Sequence, residues 1–265
     1  MDEEMPVDVH NAAQLVVTVD FDAEELWLAE DPENARRPGV LSQARYGVQV
    51  AVPALLAMFR ELDVPATFFV CGGDAERHPH AVDAIAAGGF EIGHHGFSHR
   101  SPHTMTAEQE EAEIVDGLTA LHRHTDRVAG YRSPSWDFGS STLGLLQRHG
   151  FAYSSNMMDA VHPYRHAEHD LVELPVHWLL DDAPHFWFDT SSWDKTIRSA
   201  GEVAAIWREE AAAIWDLGGL VTLTMHPQII GRPSRLRMLR EFLTWARGRS
   251  GLALSTAGDL AASLR

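Results

Sequence analysis

The sequence predicts an α/β fold carried on a largely parallel sheet, and three observations support it. Apolar runs of β type alternate with helical patterns along the chain, the arrangement that joins parallel strands through crossover helices. Eight such runs occur, roughly enough to close a barrel. The length of 265 residues suits a β/α barrel, which commonly takes about 250 residues in one domain. We therefore read 1–265 as a single domain, with 1–12 as a flexible N-terminal arm.

The predicted strands are 15–19, 66–70, 90–93, 128–131, 151–154, 171–176, 220–224 and 252–254. Among the helices, Thr106 with Gln109 reads as a capping box ahead of Ile114, Leu118 and Leu121 at helical spacing. Ser199 with Glu202 repeats the device before VAAIWREEAAAIW. Ser234 is placed to cap RLRMLREFLTWARGR, and Gly251 marks the return to a strand. Two stretches, 24–46 and 159–170, break the alternation. Both follow strands, so both are expected as loops over the strand ends.

Composition narrows the partners. A formal net charge of −17 argues against nucleic acid and anionic membranes, whose binding needs Lys and Arg to neutralise phosphates. Cys71 is the single cysteine, which excludes an internal disulfide and a thiolate cluster. The N-terminus, MDEEMPVDVHN, lacks the basic then apolar pattern of an export signal, and no apolar run reaches membrane-spanning length. The expectation is a soluble cytoplasmic protein.

Residues of metal and proton chemistry follow the strands. VVTVDFD brings Asp20 and Asp22, FEIGHHGFSH brings His95 and His99, VAGYRSP brings Arg132, and LVTLTMHP brings His226. In parallel α/β sheets active sites gather where the carboxyl ends of strands converge, which turns a scatter of residues into one place. Asp20 and Asp22 are two apart and share a face if the strand persists. His95 and His99 are brought together if one helical turn follows the strand. Two histidines and a carboxylate leave an open position for water on zinc or a similar divalent ion.

Other features have plainer readings. His94 faces away from His95 and packs; Cys71 is a small buried apolar residue; EQEEAE is a solvated helix face. The irregularly spaced His162, His166, His169, His177 and His185 read as solvated rather than as a second metal site. Trp27 and Trp136, each a few residues beyond a motif, are the aromatic candidates for a pocket.

Together these segments resemble the polysaccharide deacetylase superfamily, the NodB-homology or carbohydrate esterase family four group, over nearly the whole chain. The resemblance implies a distorted (β/α) barrel of about seven strands. By the first motif, TVDFDAE, it implies that Asp20 is the general base and Asp22 a metal ligand. By HGFSH it implies that His95 and His99 complete the metal site, with zinc the foremost candidate. By GYRSPSW and LTMHP it implies that Arg132 holds the base and His226 protonates the leaving group. The fourth motif is not plain here; Asp181 or Asp182 in LLDD takes its place, beside Trp178 as an aromatic wall. A backbone N–H near Ser133 is expected to help hold the oxyanion.

The first motif reads Asp-Phe-Asp rather than Asp-Asp. With LVELPVHWLLDD, this makes the chain similar to an intracellular branch that contains peptidoglycan deacetylases, a metal-independent allantoinase and cyclic imide hydrolases. The expected activity is metal-dependent hydrolysis of a non-peptide carbon–nitrogen bond in a small cyclic imide or amide. The reason is that a glycan polymer lies outside the cytoplasm. N-deacetylation of N-acetylated sugars or peptidoglycan fragments is the alternative. A noncatalytic carbohydrate-binding or scaffold relative is a third reading, against which the joint retention of Asp20, Asp22, His95, His99, Arg132 and His226 argues. The resemblance also implies a homo-oligomer.

Overall fold

The computed structural model describes residues 12–188 and 195–264, so the expected arm, but for its last residue, lies outside the described residues. Among these, nine strands form one sheet: β1 (Gln14–Phe21), β2 (Ala66–Val70), β3 (Glu91–His94), β4 (Gly130–Tyr131), β5 (Tyr153–Ser154), β6 (Tyr164–Arg165), β7 (Val172–Glu173), β8 (Leu220–Met225) and β9 (Ala253–Ser255). The order is β6-β7-β5-β4-β3-β2-β1-β8, with β9 paired to the start of β1. All pairings are parallel except β6 with β7. The α/β class and the eight predicted strands are found; β6 lies in the histidine-rich stretch read as a loop.

β1 is buried from Leu15 to Phe21, as an unbroken apolar run must be when both faces of a parallel strand are covered. On the inner face Phe69 and Tyr153 meet edge to face at 6.4 Å, packed with Val16, Val172, Leu174 and Leu220. On the outer face the helices bury Phe59, Phe68, Trp207 and Phe242. The last helix, Ala257–Ser263, seals the amino-terminal end of the inner face. Its Leu260 and Ala261 join that inner cluster, and Thr67 Oγ1 at the start of β2 accepts from Ala257 N at 2.9 Å. The carboxyl ends of the strands are left for chemistry.

The sheet is a curled half-barrel rather than a closed one. β8 and the wall formed by 157–182 touch at two places: Leu220 N donates to Val161 O (2.8 Å), and Asp182 N donates to Thr224 O (3.2 Å) beside an isolated Asp181–Thr224 bridge.

Both capping boxes form, at Thr106 and at Ser199. Two expectations are corrected. The helix Pro233–Arg247 begins one residue before Ser234, with Pro233 in its first turn and no side-chain cap. Proline needs no donor there and presets φ, which makes the serine dispensable. The stretch 24–46 is not a loop; it folds as helices Ala23–Glu30 and Pro38–Tyr46 around a 3-10 turn, Pro32–Arg36. Its prolines start helices instead of breaking them, and Asp31 caps the turn by accepting from Glu33 N at 2.9 Å.

Candidate active site

The six motif residues meet at the carboxyl ends of β1, β3, β4 and β8. Asp22 sits just past β1 and is 1% exposed. Its Oδ1 accepts from Gln228 Nε2 at 2.8 Å, while Oδ2 has no hydrogen-bond partner among the described residues. That orphaned oxygen lies 3.5 Å from His99 Nε2 and 3.9 Å from His226 Nε2. His95 Nδ1 hydrogen-bonds the Arg132 carbonyl at 2.9 Å, so its N–H is on that nitrogen and Nε2 keeps its lone pair. The donor atoms of Asp22, His95 and His99 all lie within 4.8 Å of one another. A buried carboxylate oxygen without a donor, grouped with His99 and with a His95 whose Nε2 is free to accept, fits a divalent cation.

Electrostatics agree with that donor set. Burial raises the Asp22 carboxyl, and His226, His95 and the Gln228 hydrogen bond only partly oppose it. Burial, joined by His95 and His226, pushes His99 well below the usual imidazole range. His95 is also lowered, again chiefly by burial. Neutral imidazoles are what metal ligation requires.

The histidines come together by a route other than the expected one. No helical turn follows β3. Instead Gly96 (φ 73°) and His99 (φ 54°) take left-handed conformations that fold the loop back, placing the His95 and His99 rings 5.2 Å apart. A non-glycine residue in this region is held there at a cost. Glu113 holds the loop: Phe97 N (2.9 Å), Ser98 N (2.8 Å) and Ser98 Oγ (2.5 Å) all donate to its carboxylate. The i,i+4 spacing suggested a helix because it is blind to φ.

Asp20 and Arg132 form a buried pair. Arg132 is fully buried, and its Nη1 donates to Asp20 Oδ1 (2.8 Å) and Thr18 Oγ1 (2.7 Å). Nε donates to Ser155 O (3.1 Å) and Nη2 to Ser155 Oγ (2.7 Å), while the guanidinium lies over the Phe69 ring at 4.4 Å. Burial alone would raise the Asp20 carboxyl; Arg132, then His95 and His226, outweigh it and hold the group below its ordinary value. Asp20 is therefore a carboxylate near neutral pH.

His226 is backed by carboxylates. Its Nδ1 lies 2.7 Å from Asp182 Oδ1 and 3.8 Å from Asp181 Oδ1, and its backbone N donates to Asp182 Oδ2 at 3.1 Å. Burial opposes the charge on this imidazole, but Asp181, Asp182 and Asp22 raise it well above the ordinary value. Burial pushes Asp181 up to about 7, with His226 opposing and Asp182 adding. Asp181 and Asp182, expected in place of the fourth motif and at the substrate pocket, lie directly behind His226. Both are buried, and Asp182, fully so, spends its oxygens on His226.

The tryptophans divide. Trp136 stacks on Trp178 at 4.3 Å, and Arg132 lies 5.8 Å from the Trp136 ring. Trp178 is 42% exposed, so the pair joins the buried layer to the surface. Ser135 and Trp136 both have positive φ (64° and 54°), the local distortion that turns the indole. Trp27 is 3% exposed, stacks on Trp187 at 5.4 Å, and with it both joins the core and lines a cavity beside Asn34 and Gln43. The Ser133 N–H is not available to an oxyanion, because it donates to Asn156 Oδ1 at 2.7 Å.

Several contributors escaped sequence reading. Thr18 and Thr224 bracket the Arg132 guanidinium, Gln228 holds Asp22, and Asn156 with Glu173 fixes the turn after Arg132. Thr18 was signalled, since it precedes Asp20 by two on the same strand face; the others needed the fold. His94 packs as expected: fully buried, stacked on Tyr131 at 5.5 Å and lowered by burial to about 3. Cys71 is buried too. The solvated reading fails for His185, 5% exposed, and for His166, whose Nε2 pairs with buried Glu173 at 2.9 Å.

Comparison with known proteins places this geometry. A family model described as polysaccharide deacetylase matches residues 45–154, the span that holds His95, His99 and Arg132. A peptidoglycan deacetylase of Helicobacter pylori is 28% identical over 92% of this chain and 93% of its own. A crystal structure of a Mycobacterium smegmatis protein described as a polysaccharide deacetylase is 38% identical, covers 98% of this chain and 93% of that one, and superposes with a TM-score of 0.94. An allantoinase structure superposes with a TM-score of 0.81 at 20% identity over 96% and 90% of the two chains, which shows shared fold. The chain belongs to the polysaccharide deacetylase family, whose members are hydrolases of carbon–nitrogen bonds other than peptide bonds.

Proposed function

We propose that the chain hydrolyses an amide carbon–nitrogen bond in a small molecule, with Asp22, His95 and His99 holding a divalent metal, zinc foremost. The observation that supports this most directly is the unpartnered, buried Asp22 Oδ2 facing His99. A divalent ion held by these three residues would supply polarisation of a carbonyl and would acidify water toward a pKa of about 7. Asp20 takes the proton of the attacking water, and Arg132 keeps it ionised and aimed. His226 gives the proton on Nε2 to the departing nitrogen, while Asp182 on Nδ1 fixes the ring and favours the charged form. Trp136 and Trp178 wall the approach.

Enclosure favours a small substrate. Asp20, Asp22 and His95 are each at most 2% exposed, so a substrate reaches them only through a group small enough to enter beside them. A cyclic imide or related cyclic amide suits such a site. N-deacetylation of a short N-acetylated sugar or peptidoglycan fragment is the second reading, favoured by the likeness to the H. pylori peptidoglycan deacetylase. Assembly into a homo-oligomer belongs to the same proposal.

Purified protein of measured metal content, assayed on succinimide, allantoin and N-acetylglucosamine oligomers, tests it. Ring opening without acetate release supports the imide reading, and acetate release from the oligomers selects the second. Stoichiometric metal with no turnover on any amide would remove the proposal.

A further inference from the structure

The incomplete closure of the sheet leaves a cavity with recognition chemistry of its own. Between the Leu220–Val161 and Asp182–Thr224 contacts, Trp178–Leu180 forms a 3-10 helix rather than a strand, while Pro175 has no N–H to offer. The resulting cavity measures about 490 Å³ and is lined on its apolar side by Val161, Val176, Leu180 and Ile214. That volume lies in the range of small-molecule sites.

Thr222 stands midway along the gap. It is 2% exposed, lines the cavity, and its Oγ1 has no hydrogen-bond partner among the described residues. Its main chain faces the gap. Gln14 N donates to Gly219 O, so odd-numbered residues of β8 turn their polar groups to β1, whereas Leu220 N and Thr224 O bond across the gap. Alternation then directs the Thr222 N–H and C=O into the cavity beside the hydroxyl. One residue of a strand edge thus offers a donor, an acceptor and a hydroxyl.

We propose that this gap binds a dipeptide-sized, amide-capped segment with one apolar side chain, taken up as a short added strand against Thr222. A residue flanked by two amides presents its N–H and C=O to one side and pairs with Thr222 C=O and N–H. Its side chain enters the pocket between Val176 and Ile214. Asp159 and Glu210 also line the cavity and disfavour a free carboxylate on the occupant. The proposal is independent of the amide hydrolysis above.

The probe is N-acetyl-L-leucine N′-methylamide, titrated into methyl-labelled full-length protein by NMR, with its own spectrum followed for cleavage. Saturable shifts at Val176, Thr222 and Ile214 with a Kd on the order of 1 mM are expected for a ligand of this size. The same compound methylated on both nitrogens keeps the bulk and loses both N–H groups, and should give no saturable shift. Thr222→Val, isosteric and without the hydroxyl, should weaken binding about fivefold. Three results would each overturn the proposal: no saturation up to about 10 mM, equal binding of the methylated compound, or shifts confined to the His95–His226 region.

Discussion

Removal of the Arg132 cation tests the buried ion pair most directly. Arg132→Met keeps length and apolar bulk under the Phe69 ring but leaves Asp20, whose side chain is 3% exposed, without its countercharge. Two of the other partners keep a bond, since Thr18 Oγ1 still donates to Leu223 O (3.1 Å) and Ser155 Oγ to Leu174 O (3.0 Å), while Ser155 O loses its Nε donor. The larger part of the loss is the stranded carboxylate, which typically costs about 3 to 5 kcal/mol. At roughly 2 °C per kcal/mol for a chain of this size, Tm should fall by about 6 to 10 °C. Asp20→Asn in the same background removes the stranded charge and should recover most of the loss, because a buried pair replaced as a whole is often near neutral. Urea and thermal unfolding of wild type, Arg132→Met and the double variant, all with chelator present, measure this. The reasoning fails if Arg132→Met stays within about 1 kcal/mol of wild type, or if the double variant is no more stable than the single one.

Further predictions concern the metal, the acid, the aromatic wall and one close approach. Asp22→Ala and His95→Ala should each release stoichiometric metal, read by elemental analysis after dialysis; full retention would remove that residue from the ligand set. His226→Ala should lower kcat by about 10² to 10⁴ with metal content unchanged, and unchanged turnover would exclude it as the acid. Trp136→Ala should raise KM more than it lowers Tm, whereas a large stability loss with normal KM would make it a core residue. Gly117→Ala would place a Cβ 2.2 Å from His94 Nε2, which hydrogen-bonds Ile114 O at 3.0 Å. Overpacking of this kind costs about 1 to 3 kcal/mol, and a variant as stable as wild type would show that His94 yields freely.

Much of the site was legible because it is written in local order. Strand periodicity and the convergence of strand ends sufficed to group Asp20, Asp22, His95, His99, Arg132 and His226 before any coordinate. Where the reading missed, the cause was a property that residue type does not carry. The helices at 24–46 were masked by prolines and polar residues. Asp181 and Asp182 looked alike in LLDD, and only their distances to His226, 3.8 Å and 2.7 Å at Nδ1, separate them.

By itself the sequence determined the α/β class, most strand positions, the two capping boxes and which polar side chains gather at the strand ends, since all of these follow from short-range pattern and strand alternation. Only the tertiary structure decided what each group is able to do. Burial raises Asp22, the Arg132 guanidinium from a distant strand holds Asp20 ionised, and two carboxylates keep His226 charged. The gap at Thr222 likewise arises from a sheet that stops short of closing. Desolvation and through-space charge depend on which segments the fold brings together, and no window of sequence contains both partners.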